Sequence, residues 1–158
     1  MSFVAEPVRT IVRAAPETSP RLFRRTPLIL VVEDGTGISD AIREICAFLG
    51  VTVDRVSADR ELLRVLRERR PMAVIAELDG RAQDGCHVMM QVAEHDRALP
   101  VLLLTGPSPV LAGAADAVEE LCALSAVTQS GHLPEMGSFV EFVFEAGRSG
   151  ACLGLMPA

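Results

Sequence analysis

The sequence contains no lysine, so all 15 basic residues in its 158 positions are arginine. No site in this protein can therefore use a lysine ammonium. Tryptophan and tyrosine are also absent, which leaves six phenylalanines to supply the aromatic side chains. Hydrophobic residues still make up 49% of the chain and charged residues 23%, a balance typical of globular proteins. The length suits one domain, with a core built mainly of Val, Leu, Ile, Ala and Met.

Metal-binding cysteine motifs and long membrane-spanning runs are missing as well. The four cysteines lie 30 to 40 residues apart, with no CxxC pair or Cys/His cluster, which argues against zinc. We expect them to be small buried hydrophobes in a reducing compartment. The uncharged run at residues 98–115 contains three prolines, which favours strand, turn and helix over a membrane span. The first residues lack the basic start and long apolar core of a secretory signal, so we expect a cytoplasmic protein.

Charge is distributed unevenly along the chain. The net charge is −6, yet residues 1–26 contain five arginines and only two glutamates, so the remainder carries −9. An acidic body argues against a nucleic-acid-binding domain, which usually presents a basic face. Prolines punctuate residues 1–26, and we expect a basic, proline-containing tail there, a domain at 27–147 and a C-terminal tail at 148–158. Residues 8–12 suit a short strand or a helical turn, and the basic tail can contact an acidic surface, including that of its own domain.

Apolar runs and helical stripes alternate from residue 28 onward. Residues 28–32 (LILVV) are typical of a parallel strand that is covered on both faces. Further strands are predicted at 51–56, 72–77, 100–105 and 125–129, and helices at 38–49, 58–69, 84–95, 109–123 and 135–147. The residues predicted to face inward are Ile38, Ile42, Ile45 and Leu49 in the first helix, Leu62, Leu63 and Leu66 in the second, and Met136, Phe139, Val140 and Val143 in the last. Five βα units with short links predict an α/β protein with a three-layer, flavodoxin-like (βα)5 fold and a five-stranded parallel sheet.

Acidic and hydroxyl side chains follow three of the predicted strands. Glu33 and Asp34 end strand 1, Glu77 and Asp79 follow strand 3, and Thr105 ends strand 4. Ligands of open α/β sheets bind at this carboxyl edge. Converging carboxylates repel one another unless a cation lies between them, and Mg²⁺ prefers such oxygen ligands. The same acids also suit the N-termini of helices, so a Mg²⁺ site at Glu33 and Asp34 and a helix cap both remain open.

Three motifs resemble those of the receiver domain of bacterial response regulators, over residues 27–147. They are residues 28–34 (LILVVED), 71–85 (PMAVIAELDGRAQDG) and 99–106 (LPVLLLTG). In that family a phosphorylated aspartate stands seven residues before an Asp-Gly pair, and counting back from Asp84-Gly85 gives Glu77. Thr105 matches the hydroxyl switch residue of the family. The resemblance implies a signalling protein of two-component type and not an enzyme.

The chain departs from the family at the phosphorylation switch. At the acceptor position, the longer side chain of Glu77 would displace a phosphoryl group from a metal and from the switch hydroxyl. Gln129 stands where the family has a lysine, and it carries no charge. Val127 occupies the position of the aromatic switch residue. The resemblance therefore implies a degenerate pseudo-receiver, a stand-alone protein that acts by protein–protein interaction without phosphorylation.

Two other interpretations compete with this one. The chain is a functional phospho-receiver if Glu77 or Asp79, with Mg²⁺, forms an atypical acceptor site. A nucleotide-binding enzyme is disfavoured, because Glu33 and Asp34 stand where a glycine-rich phosphate-binding loop would be needed. Whether Glu77 mimics the phosphorylated state through Thr105 also stays open, since a carboxylate supplies about −1 of the roughly −2 charge of a phosphoryl group.

The region from strand 4 to helix 5 is the expected partner surface. Between Ala98 and Pro134 the charged residues are Asp116, Glu119 and Glu120. In receivers, the face formed by helix 4, strand 5 and helix 5 binds output partners or a second receiver. An apolar outer side of helix 4 would mark such a surface, unless a tail covers it. We expect a protein partner there, such as a signalling protein or histidine kinase, or a homodimer, and neither nucleic acid nor membrane.

Overall fold

The computed structural model describes residues 24–33, 37–56, 62–78 and 85–152, in which strands and helices alternate. The strands are β1 (Thr26–Val32), β2 (Thr52–Val56), β3 (Pro71–Glu77), β4 (Val101–Leu104) and β5 (Val127–Ser130). The helices are α1 (Ile38–Phe48), α2 (Leu62–Arg69), α3 (Gly85–His95), α4 (Pro109–Leu121) and α5 (Met136–Ser149). None of these described helices has both the length and the apolar character that crossing a membrane requires.

The five strands form one parallel sheet in the order β2-β1-β3-β4-β5. β1 and β3 pair at its centre, with Leu30 opposite Val74, and their apolar sequences are buried on both faces. β5 lies at one edge and is only partly buried. The predicted α/β class and three-layer, flavodoxin-like (βα)5 fold are confirmed.

Each face of the sheet carries its own apolar core. On one face, α1 and α5 pack through side chains such as Ile42, Phe139 and Val143. On the other face, α2, α3 and α4 pack through side chains that include Leu66 and Met89. Burying one side chain of this kind contributes about 1.5–3 kcal/mol, so these cores hold the layers together.

The predicted helical stripes agree with the structure except at some positions. In α1, Ile38 and Ile42 are buried, and Gly50 follows with φ = +76°, as a C-terminal cap requires. Met136 was predicted to face inward but is 68% exposed. It is the first residue of α5, and the helix meets the sheet only one turn later, where Phe139 is buried. Val140 and Leu63 are partly buried, and the predicted start of the second helix at residue 58 lies outside the described residues.

The described fold extends beyond the predicted domain limits of 27 and 147. β1 begins at Thr26, and the backbone N–H of Arg25 donates to the carbonyl of Gly150 at 2.9 Å. The Arg25 guanidinium pairs with Asp96 at 2.7 Å, with only 10% of the arginine side chain exposed. Cys152 is buried beyond the end of α5, and its thiol lies 3.3 Å from the Arg25 carbonyl. The contacts of Arg25 with Gly150 and Cys152 hold the two ends of the described residues together.

Candidate functional site

The carboxyl ends of the central strands bring the predicted site residues to one edge of the sheet. Glu33 directly follows β1, Glu77 ends β3 and Thr105 directly follows β4. Glu77 pairs in register with Leu104, and the backbone N–H of Thr105 donates to the carbonyl of Ser130 at 2.8 Å. Asp34, Asp79 and Asp84 lie outside the described residues. The described edge therefore combines two carboxylates and a threonine hydroxyl.

Glu33 caps α1. Its side chain is 3% exposed and accepts hydrogen bonds from the backbone N–H groups of Ile38 at 2.7 Å and Ser39 at 3.2 Å. The hydroxyl of Ser39 donates to the same carboxylate. Gly37, at the N-cap position with φ = +82°, has no side chain for this role. A carboxylate at a helix N-terminus meets unpaired N–H groups and the positive end of the helix dipole, so Glu33 takes the cap role.

In the described residues Glu33 is engaged by α1, and Asp34, its predicted partner in a Mg²⁺ site, lies outside them. Both oxygens of Glu33 face hydrogen-bond donors of α1, which leaves a buried carboxylate directed at the helix. Within the described ranges, no group of three or more His, Cys, Asp or Glu side chains is arranged to hold a metal ion. Because Mg²⁺ is usually held by one or two carboxylates, with water or phosphate completing the shell, the site at Glu33 and Asp34 stays a prediction.

Glu77 is half-buried where β3 passes into the next helix. The following residue, Leu78, is buried and donates its backbone N–H to the carbonyl of Leu104 at 2.9 Å. α3 begins directly against this turn. A Cβ at Gly85 would lie 2.7 Å from Cα of Leu78 and 3.1 Å from the carbonyl oxygen of Glu77. The glycine of the Asp84-Gly85 motif therefore has a steric reason, because only glycine lets α3 approach the end of β3 this closely.

The Thr105 hydroxyl is directed at backbone carbonyls. Thr105 is 5% exposed, and its Oγ1 lies 3.3 Å from the carbonyl of Gly106 and 3.4 Å from that of Ser130. A hydroxyl has one proton to donate, and these two carbonyls share it. The structure thus uses this side chain to join the ends of β4 and β5.

Gln129 and Val127 face α4. The amide nitrogen of Gln129 donates to Asp116 Oδ1 at 2.6 Å and to Glu119 Oε2 at 3.3 Å. Val127 packs against the apolar core on the same side of the sheet. Because side chains alternate along a strand, both residues share one face, and Ser130 is the residue that ends the strand beside Thr105. The predicted lysine-replacement position, Gln129, therefore joins β5 to α4.

The acids Asp116 and Glu119 were not predicted as partners of Gln129. The alternation of side chains along a strand could have placed Gln129 on the same face as Val127. Val127 is partly buried and packs against the core that contains α4. The predicted strand ended at 129, whereas β5 ends at Ser130. Which residues of α4 lie beside this face depends on how the helix packs on the sheet, and the sequence pattern does not state that.

The resolved pKa shifts lie away from this edge. Burial lowers the pKa of His95, with the positive charges of Arg25 and nearby arginines acting in the same direction. Desolvation raises the pKa of Asp96, but hydrogen bonds from Arg25 and from the Ala98 N–H outweigh it, so the net pKa is lowered. Burial raises the pKa of the Cys46 thiol to about 11, which fits the predicted role of a small buried hydrophobe.

Comparison with curated proteins finds response regulators. The chain is 32% identical over 82 residues, 52% of its length, to the response regulator MprA of Mycolicibacterium vanbaalenii, of which the match covers 36%. MprA of Mycobacterium ulcerans is also 32% identical over 82 residues, which is 35% of that protein. The chain thus spans about a third of the length of the curated relatives that it matches. No protein-family model matches the chain.

Comparison with solved structures finds receiver domains. The beryllofluoride-activated NtrC receiver domain gives a TM-score of 0.56 at 21% identity, covering 75% of this chain and 92% of that one. The beryllofluoride-activated NtrC4 receiver domain dimer gives 0.61 at 18%, covering 78% and 98%. A response regulator receiver protein from Burkholderia phymatum gives 0.57 at 24%, covering 76% and 94%. The chain therefore has the fold of response regulator receiver domains, and it is similar in sequence to a response regulator over about half of its length.

Proposed function

We propose that this chain is a cytoplasmic, receiver-like signalling protein that acts by binding another protein and is not switched by phosphorylation. One observation carries the proposal: the polar side chains at the carboxyl edge hold the fold together. Glu33 caps α1, and Gln129 is bonded to α4. Glu77 stands at the acceptor position, and the chain has no lysine that could pair with a phosphoryl group.

A phosphoryl group on Glu77 would lack charge compensation from these residues. It would add about −1.5 to −2 charge and three acceptor oxygens at the end of β3. Glu33 is engaged by α1, and the Thr105 hydroxyl is directed at two carbonyls. Phosphoryl transfer depends on positioning and on a nearby metal or cation, so a displaced acceptor reacts slowly.

Acetyl phosphate with Mg²⁺, followed by intact mass measurement, tests this part of the proposal. We expect the unmodified mass for the wild-type chain, under conditions in which a phosphorylatable response regulator gains about 80 Da. An adduct of that mass on the wild type contradicts the proposal. The variants Glu77→Gln and Asp79→Asn then identify the acceptor, and loss of the adduct in one of them establishes the atypical phospho-receiver instead.

The binding surface in this proposal is the outer side of α4, within the face formed by α4, β5 and α5. The structure describes α4 in full, and Ala115 is its one buried residue. Val110 and Leu121 are 77% and 85% exposed, and Ala114 and Ala117 are exposed between them. The spacings of four, three and four residues place all four side chains on one uncharged stripe. Exposed apolar stripes of this kind mark interaction surfaces.

A second copy of the chain is the first partner to test on this stripe, because the similar NtrC4 receiver was solved as a dimer. We expect sedimentation equilibrium to show concentration-dependent dimers, and Leu121→Glu or Val110→Glu to weaken them. Phe48→Glu is the matched control, since Phe48 is 86% exposed on α1. A wild type that is monomeric at every concentration contradicts the homodimer. The same variants then test the binding of a histidine kinase or another signalling protein.

A further inference from the structure

β5 has an open edge in the described sheet. Val101 N–H donates to the Ala126 carbonyl at 3.0 Å, and Thr105 N–H donates to the Ser130 carbonyl at 2.8 Å. The backbone of the even-numbered residues therefore faces β4. Backbone groups alternate between the two sides of a strand. The N–H and C=O groups of Val127 and Gln129 therefore point away from the sheet. Such an edge is a template for another strand.

A groove of about 340 Å³ lies beside this edge, between β5 and α5. Phe142 and Ala146 are buried and give it an apolar floor, while Glu145 and Ser149 are exposed on its lining. Glu141 lies outside this groove, but it is exposed one helical turn before Glu145 and lines a second groove that shares Glu145. The two grooves together therefore suit an extended segment with an apolar side chain flanked by two basic ones.

The N-terminal tail contains a segment with these properties. Residues 8–13 read VRTIVR, in which four of the six residues are β-branched, as strands prefer. Arg9, Ile11 and Arg13 share one face of an extended segment, since strand side chains have a period of two. This face carries one large apolar side chain between two positive charges, which is the complement of the groove.

We propose that residues 8–13 dock as an additional strand on the open edge of β5 in the same molecule. Ile11 then covers Phe142, and Arg9 and Arg13 pair with Glu141 and Glu145. The backbone of the segment pairs with the outward groups of β5, which gives the affinity, and the charges set the register. The partner is this chain's own segment, so the proposal does not rest on the function proposed above.

The attachment point of the tail supports docking within one molecule. Arg25 Nη1 donates to Ser149 Oγ at 3.1 Å, and Ser149 also lines the groove. The tail therefore leaves the described body next to one end of the groove. Residues 14–23 reach up to about 33 Å when extended, and the four residues of β5 span about 13 Å. The connection is thus long enough for either strand direction, and the short tether gives a high effective concentration.

Amide exchange of the outward β5 backbone groups, measured residue by residue by NMR on the full chain, tests the proposal. We expect the N–H groups of Val127 and Gln129 to be protected, and Arg9→Glu with Arg13→Glu to speed their exchange by about tenfold or more. Arg21→Glu with Arg24→Glu is the matched control, because it makes the same double charge change outside the segment. Fast exchange at both amides in the wild type, or no effect of the double substitution, overturns the proposal.

A charge swap distinguishes a specific pairing from general repulsion. Glu141→Arg with Glu145→Arg should speed exchange at β5 in the same way, and combining it with Arg9→Glu and Arg13→Glu should restore protection. The protection should not depend on protein concentration. Protection that rises with concentration overturns docking in the same molecule, because the strand then comes from a second copy. Unchanged amide signals from β1 and β3 in every variant show that the fold is intact.

Discussion

Replacing Glu33 with glutamine separates its role as a helix cap from a role as a metal ligand. The side chain is buried, and its two oxygens accept the N–H groups of Ile38 and Ser39 and the Ser39 hydroxyl. Glutamine keeps the shape but replaces one oxygen with a donor, which then faces the donors of α1. Hydrogen bonds to a charged acceptor contribute about 1.5–3 kcal/mol, and losing a helix cap costs about 0.5–2 kcal/mol. We therefore expect the free energy of unfolding to fall by about 2 kcal/mol.

Urea unfolding and thermal melts measure this loss. For a domain of this size, about 2 kcal/mol corresponds to a Tm lower by roughly 6–10 °C. Asp40→Asn is the matched control, because it makes the same carboxylate-to-amide change in the first turn of α1 at a side chain that is 82% exposed. That substitution should change stability by less than about 0.5 kcal/mol. Ser39→Ala removes only the hydroxyl bond and should cost about 1 kcal/mol.

Repeating the melts with Mg²⁺ decides between the two roles of Glu33. A ligand that binds only the folded state raises the free energy of unfolding by RT ln(1 + L/Kd) at free ligand concentration L, and Tm rises with it. If Glu33 is a cap, the difference in Tm between the wild type and Glu33→Gln is the same with and without Mg²⁺. The reasoning is refuted if the variant is as stable as the wild type, or if Mg²⁺ stabilises only the wild type.

Two further predictions concern the packing of α3 and the pairing of the chain ends. Gly85→Ala should lower the free energy of unfolding by about 1–3 kcal/mol, because its Cβ would overlap Leu78. Gly113→Ala on α4, where a Cβ would have nothing within 4 Å, should raise it by about 0.5–1 kcal/mol. Equal effects of the two substitutions in urea unfolding would contradict the steric argument. The folded-state pKa of Asp96 lies below its ordinary value of 3.8 through its bonds to Arg25, so this carboxylate adds stability above that value and the addition is lost as pH falls through the folded pKa. Asp96→Asn should therefore be less stable than the wild type at pH 7, and the gap should narrow as the pH is lowered below 3.8; a gap that does not narrow at any lower pH would exclude the ion pair as its cause.

Much of the fold was predictable because its signals are local. The apolar run at 28–32 and the stripe through Ile42 in α1 each lie within one element, and burial follows directly from their period. The pairing of Arg25 with Asp96 could not be predicted in this way, since it joins residues 71 positions apart. The exposure of Met136 depends on where α5 meets the sheet, which the helical period does not state.

The candidate site was predictable in position but not in the direction of its side chains. Glu33, Glu77 and Thr105 do meet at the carboxyl edge, because parallel strands end on the same side. A helix cap and a metal ligand both require a carboxylate at position 33. Only the location of the α1 N–H groups relative to Glu33 distinguishes these two roles. For Gln129, the contacts with Asp116 and Glu119 depend on how α4 packs beside β5, which the sequence pattern does not state.

The hydrogen bonds of Gln129 indicate what a lysine introduced at position 129 would contact. A lysine at position 129 would extend toward Asp116 and Glu119, which already accept both hydrogen bonds of the present amide. An ammonium there gains two carboxylate partners on α4, and these compete with Glu77 for its charge. The face of the strand that ends beside Thr105 belongs to Ser130, whose hydroxyl donates to the His132 carbonyl at 2.5 Å. Position 129, where the resemblance implies a lysine, is thus engaged by α4, which supports the proposal that the receiver scaffold here serves binding without a phosphorylation switch.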